Sequence, residues 1–198
     1  PKLTEIAKSA ESEYERVLAI LSLAKITYNK KALLTYMDVL LEAIGSESEP
    51  VATTAAAALE QVGLRAQPAL IAAMQSASGE HRNQLINLLG AIGARDAVPI
   101  LVAELQSAQT DHRNAALAAL SAIGPASKAA LPVIVPLTTP NNDIADRIRA
   151  CEALGRIGQA EPIAIAALEA NIHNQHKVLA RTAVRAWIAL DDGHHIDD

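Results

Sequence analysis

Apolar side chains recur along this chain in one phrase, Ala-x-x-Ala-Leu-x-x-Ile-Gly, between stretches of polar and charged residues. The phrase reads Ala55, Ala58, Leu59, Val62, Gly63, then Ala116, Ala119, Leu120, Ile123, Gly124, then Ala150, Ala153, Leu154, Ile157, Gly158. Leu85, Leu88, Leu89, Ile92 and Gly93 fill the same slots with larger side chains. This spacing puts the apolar residues on one helical face, and the glycine that follows is the residue favoured just past a helix end. Two weaker copies extend the series: Ala19, Ser22, Leu23, Ile26 with Thr27 in the glycine slot, and Ala180, Ala183, Val184, Trp187 with Ile188 there. The isoleucine column therefore stands at 26, 62, 92, 123, 157 and 187, with gaps of 36, 30, 31, 34 and 30. A pattern that holds while its gaps vary places the length changes in loops.

Each phrase predicts a first helix, and a second follows it, marked by Pro-x-Leu. Proline is tolerated in the first turn because its missing N–H has no intrahelical partner there. Pro68, Leu70, Met74, Ser76, Ala77 correspond to Pro99, Leu101, Leu105, Ser107, Ala108, and Pro132 and Pro162 open the next two. Pro1, Leu3, Ala7, Ser9, Ala10 have the same spacing, so the chain is expected to begin at a second helix, as a piece of a longer or processed protein. The map is a half unit at 1–10, helix pairs at about 13–46, 50–78, 80–110, 111–140 and 142–174, and a last half unit at 176–190 before a polar tail. Self-similarity at this period predicts an all-α solenoid in which each repeat buries its face only against its neighbours. One elongated domain over 1–198 is expected.

Composition narrows the picture. The chain has 41 alanines, no phenylalanine and 2% aromatic residues. Alanine favours helix and lets helix axes approach closely, so the core should be a thin two-layer stack without a deep pocket. The net charge of −5 disfavours nucleic acid and acidic membranes as partners. No 18-residue apolar run is read, so membrane insertion is not expected. The lone cysteine, Cys151, cannot form an internal disulfide and gives no sign of an oxidising compartment, which leaves a cytoplasmic setting slightly favoured. Cys151 lies between template residues Ala150 and Ala153 and reads as a core thiol. His173 and His176 in a connector, and His194, His195, Asp197 and Asp198 in the tail, supply too few converging ligands for a zinc site. No catalytic constellation or nucleotide-binding loop is visible, so the chain is expected to be neither an enzyme nor a cofactor binder.

The segment Asp111-His-Arg-Asn-Ala-Ala-Leu-Ala-Ala-Leu-Ser-Ala-Ile-Gly124, with Pro125 to Pro132 after it, resembles a bacterial HEAT-like repeat. So does Asp146-Arg-Ile-Arg-Ala-Cys-Glu-Ala-Leu-Gly-Arg-Ile-Gly158, in the manner of the repeats of phycobilisome lyase subunits. The resemblance covers residues 50–190 well and 1–49 loosely. It implies a right-handed α-α superhelix whose second helices line the concave, ligand-binding side. It implies no single function, because such repeats serve scaffolds, adaptors, bilin lyases and DNA-repair proteins.

Two further patterns bear on function. Arg82, Arg113, Arg147 and Lys177 each stand ten residues before the isoleucine column, a basic ladder at the start of successive first helices. Glu80, Asp111 and Asp146 lie just upstream, in the N-cap region. Cations are mildly unfavourable at a helix N-terminus, so the ladder is expected to bond carboxylates or loop carbonyls of a neighbouring repeat, with a cationic stripe for an acidic partner as the alternative. His81-Arg82-Asn83 recurs as His112-Arg113-Asn114, as repeat duplication or as a paired binding feature. The second helices, by contrast, are nearly uncharged: 67–78 and 129–140 carry no charge, 96–108 only Asp96 and Glu104, and 162–172 only Glu169. Their candidate partner-binding points are Gln75, Glu104, Gln106, Thr138 and Glu169. A phosphate backbone needs several cations in such a groove, whereas a protein or peptide, or another domain of the same longer chain, does not. Bilin presentation and DNA binding are the alternatives. The template makes each column leucine a packing residue, and Leu120→Ala is expected to cost about 2–5 kcal/mol in chemical denaturation. A loss well under about 1 kcal/mol would contradict the assigned face.

Overall fold

The computed structural model describes residues 2–9, 11–26, 31–107 and 109–191. Among these the chain is all-α. Its helices are α1 (Lys2–Ser9), α2 (Glu13–Ile26), α3 (Lys31–Thr35), α4 (Met37–Ile44), α5 (Glu49–Val62), α6 (Gln67–Ala73) and α7 (Gly79–Ala91), then α8 (Val98–Glu104), α9 (Thr110–Ile123), α10 (Leu131–Ile134), α11 (Ile144–Ile157), α12 (Pro162–Ile172) and α13 (Lys177–Asp191). Thr27, the expected starting residues Pro1 and Ala10, Ala108, and the tail histidines and aspartates lie outside the described residues.

Contacts group the chain into two compact units, 1–93 and 94–198. In the N-terminal unit α1, α4 and α5 pack on α2, and α6 and α5 pack on α7. In the C-terminal unit the first helices α9, α11 and α13 stack in order, while α8 lies on α9 and α12 on α13. The apolar phrase faces these contacts. Ala55, Ala58, Leu59, Leu85, Leu88, Leu89, Ala116, Ala119, Leu120, Ala150, Ala153, Leu154 and Ile157 are all buried. In α13 the buried column is Leu179, Ala183, Ala186 and Leu190, shifted from the template residues Ala180, Val184 and Trp187. Nothing breaks α13 at Ile188, which is 46% exposed within a helix that runs on to Asp191.

The glycine slot serves two physical ends. Gly124 closes α9 at φ 72°, ψ −141°, a region open essentially to glycine alone. Gly158 has φ −83°, which any residue adopts; there the constraint is space, since a Cβ would lie 2.8 Å from the Leu154 carbonyl and against the Ala164 methyl. After Gly63, Ala94 and Gly124 the backbone makes a short 3₁₀ turn, Gly63–Ala66, Arg95–Ala97 and Gly124–Ala130, and proline then sits in the first turn of α6, α8 and α10. The expected second helix at 129–140 is shorter than the sequence implied. Pro136 removes a backbone donor, and α10 tightens into a 3₁₀ segment, Val135–Thr138.

The expectation that no apolar stretch reaches membrane-spanning length is corrected. By length and composition the helical segments of Thr110–Thr138, taken together, are long and apolar enough to cross a membrane. Gly124 divides the stretch into separate helices joined by a turn, each packed within the repeat stack. At the α11–α13 crossing a Cβ on Gly155 would stand 2.7 Å from the Ala186 Cβ and 2.8 Å from its Cα, so two backbones must move. Gly155→Ala is therefore expected to lower unfolding free energy by about 1–3 kcal/mol in urea titration. An unchanged midpoint would show that the crossing yields without cost.

Candidate functional site

The basic ladder is tied to the repeats that precede it. Arg82 donates from Nη1 to the Met74 carbonyl and, at 3.0 Å, to that of Ala77, just beyond α6. Arg113 Nη1 donates to the Ser107 carbonyl beyond α8 at 2.8 Å, and Nη2 to Thr110 Oγ1 at 3.0 Å. Arg147 Nε donates to the Thr138 carbonyl at 3.1 Å and Nη2 to Asn171 Oδ1 at 2.8 Å. Carbonyls at and beyond a helix C-terminus lack partners and carry the negative end of the dipole, so a guanidinium satisfies them at close range. Lys177, at the start of α13, is exposed. The N-cap positions of α7, α9 and α11 are Ser78, Gln109 and Asp143, not the acids upstream of each ladder residue, and none of the three makes a side-chain cap bond.

The candidate contact points on the second helices divide into two groups. Gln75, Gln106 and Glu169 are exposed. Glu104 and Thr138 are 6% and 3% exposed and are withdrawn from the surface. α8 ends at Glu104, which turns inward so that its Oε2 lies 3.7 Å from His112 Nδ1. Thr138 Oγ1 donates back to the Val135 carbonyl at 2.8 Å in the 3₁₀ turn that Pro136 forces. The duplicated tripeptide thus has two settings. His112 is buried beside Glu104, while the imidazole of His81 packs against Gly45, where a Cβ would come within 3.0 Å of it. Asn171, buried and bonded on both ends by Arg147 and the Ala167 carbonyl, carries no signal in the sequence pattern.

With Glu104 turned in, α6, α8 and α10 expose no charged side chain. α12 exposes Glu169, and α4 exposes Asp38 and Glu42. Three open grooves lie beside first helices. One in the N-terminal unit is lined by Ile44, Glu47, Glu49, Thr53, Glu80 and His81. Two in the C-terminal unit flank α11. Among the described residues no three metal-ligating side chains come together, and His173 and His176 are exposed.

Cys151 is fully buried, and burial pushes its thiol up to about 11, against the opposing pull of Arg147 and with a small push from Glu152. A thiol held protonated is a poor nucleophile. The unfolded thiol ionises from about pH 8.5 upward, so its contribution to stability is complete below that pH and is lost as pH climbs toward about 11. Native protein at pH 8 is therefore expected to react with an aromatic disulfide reagent far more slowly than urea-unfolded protein. Stability should fall more steeply between about pH 8.5 and 11 than in Cys151→Ala, and parallel curves would remove the thiol as the cause.

Residues 67–146 match the HEAT repeats family. No curated protein matches the chain. Among solved structures the chain is similar to the phycocyanin lyase complex of CpcE and CpcF from Nostoc sp. PCC7120, at TM-score 0.64 and 19% identity over 77% of this chain and 98% of that one. It is also similar to an engineered protein, at TM-score 0.56 and 19% identity over 98% of both chains, and to a designed armadillo repeat protein, at TM-score 0.52 and 19% identity over 96% of this chain and 99% of that one. These likenesses are of fold: stacked helix pairs. The helix pairs within residues 67–146 match HEAT repeats, and the described chain shares the fold of the solved helical-repeat structures.

Proposed function

We propose that this chain is a non-enzymatic interaction module that holds a protein or peptide, or another part of a longer chain of its own, on its second helices. The observation that carries the reading is the absence of exposed charge on α6, α8 and α10, whose outward residues include Pro68, Ala72, Pro99, Ala103 and Pro132. On each of these helices the small neutral side chains let an apolar helix or an extended strand pack without leaving a charge unpaired. A nucleic-acid backbone finds no cation there. Catalysis has no support in the side chains either, since the one nucleophilic thiol is buried and protonated.

The likeness to a phycocyanin lyase complex favours the presentation of a bilin as the second reading. A shifted visible absorption band on mixing with a linear tetrapyrrole is its distinguishing sign. For the leading reading, glutamates are placed at the exposed Ala72, Ala103 and Ala166, and in a matched variant at the exposed first-helix positions Ala57, Asn87 and Ala91. Proteins retained from lysate by the unaltered chain are expected to fall at least about tenfold with the second-helix set and to persist with the first-helix set. Equal retention by both variants, or no retained protein at any salt, would sink the proposal.

A further inference from the structure

The first helices of the C-terminal unit carry a surface of different chemistry. The groove between α9 and α11 is lined by Asn114, Leu117, Ser121, Arg149, Glu152 and Arg156. The groove between α11 and α13 takes Glu152 and Arg156 again, with Gly155, Thr182 and Arg185. Glu152 and Arg156 belong to both, so the grooves meet across α11. The close approach of Gly155 to Ala186 brings the two helices together at that point, and Arg156 and Arg185, each next to a crossing residue, stand on its two lips.

These guanidinium groups are not used within the unit. Arg149 has only Asp146 of its own helix, at 4.0 Å, and stays 43% exposed. Among the described residues Arg156, Arg181 and Arg185 are exposed with no carboxylate partner. Arg181 and Arg185 are one turn apart, a like-charge spacing that disfavours an isolated helix. The ladder arginines Arg113 and Arg147, by contrast, are spent on carbonyls. Asn114 and Ser121 add neutral polar groups along the α9–α11 groove beside these arginines. Glu152 between the grooves and the net charge of −5 oppose a long polyphosphate, whereas a short segment can set its carboxylates at the arginines alone.

We propose that the α9–α11–α13 surface docks an acidic protein segment. Its carboxylates bridge Arg156 and Arg185 and reach Arg149. This surface is separate from the neutral second helices and does not depend on what they bind. The test is fluorescence anisotropy with a short labelled peptide of alternating glutamate and serine, beside its glutamine counterpart and a single-stranded DNA of equal charge. The acidic peptide is expected to bind, and to weaken at least about tenfold between roughly 50 and 300 mM salt. Arg156→Gln with Arg185→Gln should weaken it about tenfold or more, while Arg95→Gln leaves it unchanged. Circular dichroism checks the fold of each variant, and Arg185→Gln alone, at an exposed position, carries the same test with a loss of about threefold if the double variant is unfolded. The proposal is overturned by an acidic peptide that does not bind at low salt, by arginine variants that bind as well as the parent, or by DNA that binds as tightly as the peptide.

Discussion

At the crossing of α11 and α13 a β-carbon on Gly155 would lie 2.7 Å from that of Ala186, and much of the molecule follows from that lack of room. Helices that approach this closely gain contact along their backbones instead of through long side chains. In a chain with 41 alanines and no phenylalanine, alanine and leucine share most of the buried positions. The same constraint recurs at Gly158 against Ala164. Each helix pair is then too thin to enclose a cavity, and its apolar column is covered only by the pairs beside it.

Thin repeats need an additional means of closing their ends. Short second helices such as α6 and α8, seven residues each, leave several carbonyls exposed for few internal bonds. The ladder arginines meet that need by reaching from the start of one first helix to the carbonyls behind it. They sit near a helix N-terminus at some electrostatic cost, which the charge-assisted bonds to Ser107 and Thr138 offset. Charge is thus divided by task. Arg82, Arg113 and Arg147 hold successive repeats together, while Arg149, Arg156 and Arg185 face outward around Glu152. The second helices α6, α8 and α10 expose no charged side chain, the one acid among them, Glu104, being buried.

The helix pairs, their order and the buried column were legible because periodic burial imposes periodic sequence. Ala116, Ala119 and Leu120 could be placed in the core from spacing alone. The candidate surface was less legible. Glu104 and Thr138 look like surface points in a helix of average length, but α8 ends at Glu104, and Pro136 tightens the turn before Thr138. Both then face inward. Asn171 was invisible because its role depends on Arg147, 24 residues away in sequence and one hydrogen bond away in space.

By itself the sequence determined that this protein is a stack of helix pairs with charged first helices and nearly uncharged second ones. Each of those facts follows from local periodicity, which needs no partner from elsewhere in the chain. Only the tertiary structure decided which arginines are held by carbonyls and which face outward, where α13 shifts its buried column, and that three open grooves lie along first helices. Those outcomes depend on distances between elements far apart in sequence, and on where each short helix stops. A one-dimensional repeat carries neither.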